Sequence, residues 1–298
     1  MSDLILKTLN DLSPTLDPDF IYLKRELDTL FLHRRFSKTP GESVSMVTQR
    51  ISDTRKKAMK IAPHTCIREC LFAESRIDRH FAYRQVLLIV AQTPSKTLID
   101  VGCCMATDIR TLITHGYPIS NITGLDCETG FIQLSFSLYN QSQYSFGAQF
   151  RVADVLDPRL RERCGDLDSK FDFVHTANVI HLYDEAQQEV LLRALAFLVK
   201  PGGLVWGRQV GIEERSIDQH RQPEGKGVRF TMNQFRRLWL AATGWETASG
   251  QFEAILTPYD ELRTPRKDKR FSMQWSIRAP VEAPTRRLVE LINPMGCT

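Results

Sequence analysis

Apolar residues recur every three or four positions in SDLILKTLNDL, FIYLKRELDTLFLHRRF and RIDRHFAYRQVLLIVAQ. That spacing predicts an N-terminal helical segment over residues 1–96, with few strand signals and a stop at Pro94. Between these runs, GESVSMVTQRISDTRKKAMKIAP is polar and only weakly periodic, and it reads as a mobile connector containing a short helix. From Thr97 the pattern changes. Short apolar runs predict strands over 97–101, 121–126, 148–154, 171–178 and 204–210, with amphipathic helices in the gaps. DIRTLITH ends at Gly116 and EAQQEVLLRALAFLVK at Pro201-Gly202-Gly203. QFRRLWLAAT opens on a Thr231/Gln234 capping box and stops at Gly244. Two further strands, WETASGQFEAIL and FSMQWSIRA, flank the charged loop RTPRKDKR. Strands alternating with helices predict an α/β fold, a parallel sheet covered on both faces. The expected organisation is a helical cover over 1–96 and a sheet domain over 97–298.

Composition narrows the function classes. The 298 residues are 42% hydrophobic and 25% charged, ordinary globular usage. The net charge of +4 lacks the strongly basic balance of a nucleic-acid-binding surface, so no nucleic acid is expected as main partner. No apolar run approaches the ~18 residues of a membrane span, and the first residues mix Asp with Lys where a secretory signal needs apolar ones. The expected location is the cytoplasm, without membrane insertion. Cys66, Cys70, Cys103, Cys104, Cys127, Cys164 and Cys297 are scattered without metal or disulfide-scaffold spacing, and they read as reduced thiols with no metal site.

The chemistry concentrates in LIDVGCCMATDIR, where the first strand meets its helix. Gly102, without a Cβ, leaves room for a cofactor against the backbone, and Asp100 stands two residues ahead of it. A dinucleotide site would carry G-x-G-x-x-G, but Cys104 and Ala106 follow Gly102 here. Pyrophosphate needs unshielded N–H groups at a helix start. S-adenosylmethionine has no phosphate, tolerates Cys104 beside it, and as a cation suits the nearby acid. Asp126 closes the second strand ~24 residues past Gly102, where a carboxylate accepts from both ribose hydroxyls. Asp154 closes the third, placed to accept from the adenine amine while the Val155 N–H reads a ring nitrogen. Cofactor residues therefore fall at the carboxyl ends of successive strands, the ligand-binding edge of open α/β sheets. Cys103 and Cys104 read as packing, since no activating base or cation is visible in that turn.

Asp100-x-Gly102, Asp126, Ala153-Asp154, FDFVHTANVIHLYD and KPGG together resemble the successive motifs of class I S-adenosylmethionine-dependent methyltransferases, over roughly residues 97–256. The resemblance implies a Rossmann-like seven-stranded sheet whose last strand is antiparallel, with WETASGQFEAIL and FSMQWSIRA as its final hairpin. HTCIRECLFAE, HFAYRQVL, VGCCMATDIR and HLYDEAQQ look like fungal secondary-metabolite methyltransferases, some of which esterify prenylated polyketide acids in meroterpenoid pathways. The implied substrate is a small acidic or phenolic molecule.

In ANVIHLYD, Asn178 joins the cofactor residues and His181 stands within reach of a stacked substrate; His175 reads as a core or surface histidine. Gln209 is a second polar group at the same edge, paired with His181 as catalytic. Arg68 is a candidate partner for the cofactor's methionine carboxylate or for an acidic substrate. Phe72 and Trp239 are the substrate-wall candidates among aromatics that include Phe20, Tyr22, Phe31, Phe36 and Phe235. A base-methylating enzyme would carry Asn/Asp-Pro-Pro-aromatic where Asn178-Val179-Ile180-His181 stands. A phenol methyltransferase, a non-methylating cyclase or regulator of the same fold, and assembly as a homodimer stay open.

Overall fold

The computed structural model describes residues 43–142, 146–214, 227–245, 252–258 and 271–281. The helices expected in SDLILKTLNDL and FIYLKRELDTLFLHRRF lie outside the described residues. So do Phe20, Tyr22, Phe31, Phe36, Cys297 and all of RTPRKDKR.

Seven strands form one sheet: β1 (Leu98–Val101), β2 (Ile122–Asp126), β3 (Gln149–Val152), β4 (Phe171–Ala177), β5 (Val199–Gly211), β6 (Phe252–Pro258) and β7 (Phe271–Arg278). Their order is β3-β2-β1-β4-β5-β7-β6. The first five run parallel, and β7 enters antiparallel between β5 and β6. Every residue of β1 and β2 is buried, as befits central strands covered on both faces. Trp245 is no part of β6 and packs into the core just after its helix; residues 246–251 lie outside the described residues.

Helices α1 (Val44–Ala58), α2 (Thr65–Arg68) and α3 (Tyr83–Gln92) precede the sheet. Helices α4 (Thr107–Thr114), α5 (Thr129–Leu138), α6 (Leu160–Arg163), α7 (Glu185–Leu198) and α8 (Met232–Thr243) alternate with its strands. Capping boxes open α7 at Asp184/Gln187 and α8 at Thr231/Gln234. The end expected for α7 moves to Leu198, because Val199 pairs with Phe171 as strand and Lys200 turns its Nζ to Asp172 at 2.8 Å. α1 corrects the expected connector: it is a regular 15-residue helix, N-capped by Ser43, with Val47, Ile51 and Ala58 buried toward α5. RIDRHFAYRQVLLIVAQ splits likewise into a 3₁₀ turn at Ile77–Arg79 and α3.

The core lies on both faces of the sheet. Under α7 and α8, Phe235, Trp239, Trp245 and Trp275 pack together; under α3 and α4, Trp206 meets Tyr83 and Leu98. Several ties fasten the segment ahead of β1 to the sheet domain. Thr107 Oγ1 donates to the Phe72 carbonyl at 2.5 Å. Asp108 Oδ1 accepts from Ser75 Oγ and from the backbone of Arg76 and Ile77, at 2.9–3.2 Å. His80 Nε2 donates to the Gly207 carbonyl at 2.9 Å, and Phe81 N–H to Gln274 Oε1 at 3.0 Å. Cys66 to Cys164 are free thiols. Among the described residues, no helix is long and apolar enough to cross a membrane.

Candidate active site

At the carboxyl edge of β1, β2 and β4 opens a cavity of about 320 Å³, at the small end of the ~300–1,000 Å³ range for small-molecule sites. The parallel strands aim their terminal residues into it: Asp100 and Gly102 from β1 and its turn, Asp126 from β2, Asp154 and Val155 past β3, Asn178 past β4. The segment ahead of the sheet supplies the opposite wall through His64, Ile67, Phe72 and Arg76.

Burial pushes the Asp100 carboxyl up from the usual carboxylate range, and the hydrogen bond and charge of His175 pull against that. His175 is 1% exposed, its Nδ1 2.7 Å from Asp100 Oδ1, and its ring lies 4.7 Å from Trp206. Asp126 is also raised by burial; the N–H groups of Glu128 and Cys104 oppose it, donating to Oδ1 at 2.9 Å and Oδ2 at 2.8 Å. Gly102 stands at φ +74°, and a Cβ there would meet Val179 Cγ2 at 2.4 Å. The glycine therefore leaves room first for a neighbouring side chain of the protein.

Among the described residues the lining carries six carboxylates, Glu74, Asp100, Asp108, Asp126, Glu128 and Asp154, against one arginine, Arg76. Arg76 is itself bound to Glu74, Nη2 to Oε2 at 3.1 Å. A pyrophosphate would meet repulsion here and a cationic, phosphate-free ligand attraction. Asn178 Oδ1 is buried on this wall with no hydrogen-bond partner among the described residues, an acceptor open to a ligand donor. These residues fit a sulfonium cofactor bearing an ammonium group, ribose hydroxyls and an adenine amine.

Comparison with known proteins points the same way. A family model described as a methyltransferase domain matches residues 98–203. The O-methyltransferase phiE of a fungal species is 30% identical over 227 residues, covering 73% of this chain and 73% of that protein. The chain belongs to the S-adenosylmethionine-dependent methyltransferases. The O-methyltransferase atr3 of Stereocaulon alpinum is 34% identical over 224 residues, covering 72% of this chain and 63% of that protein. The methyltransferase ausD of Penicillium brasilianum is 27% identical over 232 residues, covering 75% and 80%.

In this methyltransferase, Asp100, Gly102, Cys104, Asp126, Asp154, Val155, Asn178 and Phe72 all line one cavity. Four other candidates do not. Trp239 is fully buried under α8, 5.5 Å from Trp275 and 5.6 Å from Trp245, because Phe235, Leu238, Trp239 and Ala242 form the helix stripe that faces the sheet. Gln209 is 1% exposed and reaches Met273 Sδ at 3.9 Å, its register partner across β5–β7. Arg68 is exposed and donates to the Pro63 carbonyl at 3.5 Å; Arg76 is the arginine on the cavity wall. His181 sits half-buried in a 3₁₀ turn just outside the lining formed by Val179, Leu182 and Tyr183, its Nδ1 accepting from Val210 N–H at 3.4 Å.

Sequence reasoning missed His64, Arg76 and the role of His175. His64 lies in HTCIRECLFAE, one of the resemblance segments, whereas nothing linear ties Arg76 to Asp108 or His175 to Asp100. Burial pushes up the Cys66, Cys103 and Cys104 thiols, and Cys127 to about 11, so none is a thiolate at neutral pH.

Proposed function

We propose that this methyltransferase transfers a methyl group to a carboxylate oxygen of a small-molecule acid, a prenylated polyketide acid of a meroterpenoid-type pathway. Two of the similar proteins carry the name O-methyltransferase, which favours oxygen as the acceptor atom. The cofactor residues are Asp126 for the ribose, Asp154 and Val155 for the adenine edge, and Asp100, Gly102, Cys104 and Asn178 around the remainder. S-adenosylmethionine supplies an electrophilic methyl group on sulfur. Residues 1–96 serve as the cover that keeps water from the reacting groups.

One observation carries the choice of a carboxylate over a phenol. The Val210 N–H, 3.4 Å from His181 Nδ1, favours the neutral tautomer that carries its proton on Nε2. Such a ring donates a hydrogen bond; it takes up no proton at that nitrogen. A carboxylic acid of pKa near ~4 is already ionised at neutral pH and needs orientation alone, whereas a phenol near ~10 needs a base. The carboxylate oxygen bonds to the methyl carbon as the methyl–sulfur bond breaks, and the bond pair leaves on sulfur. No proton moves.

Label transfer from S-adenosylmethionine to an aromatic polyketide carboxylic acid, and to the matching phenol without the carboxyl, tests the reading. Expected are a methyl ester from the acid, a rate already level by about pH 6, and partial activity in His181→Gln and His181→Asn beside greater loss in His181→Ala and His181→Phe. Methylation of the phenol alone, with a rate rising through the histidine range near ~6.5 and lost in every His181 variant, would overturn it.

A further inference from the structure

The turn between β1 and α4 carries Cys104 and Ala106 at φ 49° and 53°. In the left-handed region an L residue's Cβ crowds its own backbone, so a residue other than glycine stays there only where its surroundings hold it. Two contacts supply that hold. Asp126 fixes the Cys104 N–H at 2.8 Å. Arg110 fixes the other end: its Nη1 donates to the Met105 and Ala106 carbonyls at 3.1 Å each, and its Nε to Gln141 Oε1 at 3.0 Å. Side chains on a helix tilt toward its N-terminus, so an arginine one turn into α4 reaches back over the cap of its own helix.

The guanidinium is 5% exposed and lies between two rings, 3.8 Å from the Tyr139 centroid and 4.3 Å from that of Phe146. Burial pulls its pKa down to about 10, which leaves it a cation at neutral pH. Its hydrogen-bond acceptors are two carbonyls and an amide oxygen. A buried cation is a costly way to fill a core position, where an apolar side chain stacks on the same rings without desolvation. The geometry that justifies it is one planar group whose Nη1 donates to two consecutive carbonyls of one strained turn while its Nε holds Gln141.

We propose that Arg110 is a positioning residue of the cofactor site, holding residues 103–106 in the backbone conformation that glycines would adopt unaided. Cys104 N–H thereby stays on Asp126, and the turn keeps its place on the cavity wall. The assignment is independent of which oxygen receives the methyl group.

Calorimetric titration with S-adenosylhomocysteine tests it in four full-length proteins: wild type, Arg110→Met, the pair Cys104→Gly/Ala106→Gly, and all three changes together. Arg110→Met should weaken binding tenfold or more. The glycine pair should bind within threefold of wild type, and adding Arg110→Met to it should cost no more than a further threefold. An equal loss in both backgrounds would show that the arginine acts through packing alone, and native affinity in Arg110→Met would show that it does not act at all; either overturns the proposal. Should Arg110→Met fail to fold alone, Arg110→Lys carries the test, since it keeps the charge but loses the planar group that holds Gln141 and the two carbonyls at once. A smaller loss, erased by the two glycines, supports the proposal, and unchanged affinity overturns it.

Discussion

An added methyl group at position 102 has two problems, the φ of +74° and the Val179 Cγ2 2.4 Å away. Gly102→Ala is expected to cost about 1–3 kcal/mol of stability. Val179→Ala should recover the steric part and leave the backbone part, a coupling of about 0.5 kcal/mol or more in a double-mutant cycle of thermal melts. At the neighbouring Asp100, the balance between burial and His175 predicts a pH effect. Without the histidine, burial prevails and the carboxyl takes its proton at higher pH. In His175→Phe the acid-side fall of S-adenosylmethionine affinity should therefore move to higher pH than in wild type, as read by calorimetry across pH 5–8; coincident profiles would count against it. The gathering of Asp100, Gly102 and Asp126 on one cavity was legible because strand ends are marked by turn residues and parallel strands bring those ends to one edge. Gln209 and Trp239 were misread because a sequence shows that a polar or aromatic residue lies near an edge without showing which face it takes.

At the scale of elements, the sheet and the helices α4, α7 and α8 could be read from periodicity and capping residues, whereas α1 could not. Its buried face includes Thr48, Ser52, Thr54 and Arg55, and Arg55 Nε bonds the Arg68 carbonyl at 2.8 Å. Polar residues on the buried face dilute the apolar stripe that periodicity relies on. The helix is nonetheless anchored by apolar contacts. Ile51 is fully buried among Phe131, Leu138 and Tyr139, so Ile51→Ala should destabilise by about 2–4 kcal/mol in denaturant titration. A loss below about 1 kcal/mol would mean that α1 is loosely held. Because α2 and the segment after it share this cluster and line the cavity, the same substitution should also weaken S-adenosylmethionine binding.

Over the whole molecule, His80 ties the segment before β1 to the middle of β5, bonding the Gly207 carbonyl while its Nδ1 accepts from Ala82 N–H at 3.1 Å. Burial first, and the neighbouring His175 second, lower its pKa to about 3. The unfolded chain takes up this proton near pH ~6.5 and the native protein does not, so stability is full above ~6.5 and falls as pH drops from there toward about 3. Chemical denaturation between pH 7.5 and 5 should show that fall, at up to ~1.4 kcal/mol per pH unit from this group. His80→Gln should be less stable at pH 7.5 and flatter below it. Asp172 adds to the slope further down. Burial raises its pKa, but the bonds from Lys200, Lys96 and Thr97 outweigh that and hold it below the usual carboxylate range. Its contribution is present above the unfolded carboxyl's ~3.9 and is lost at still lower pH.

The place of β7 sets an order on synthesis. The first five strands can pair as they leave the ribosome, each one after β1 finding a partner already made. β6 cannot, because both of the sheet's last junctions, β5 to β7 and β7 to β6, wait for residues 271–278. A nascent chain halted just short of them presents the open edge of a 13-residue strand together with a solitary one. Such edges recruit other chains. A message truncated near codon 270 should yield aggregates, and supplying the missing stretch as a separate peptide during translation should draw part of the product back into solution.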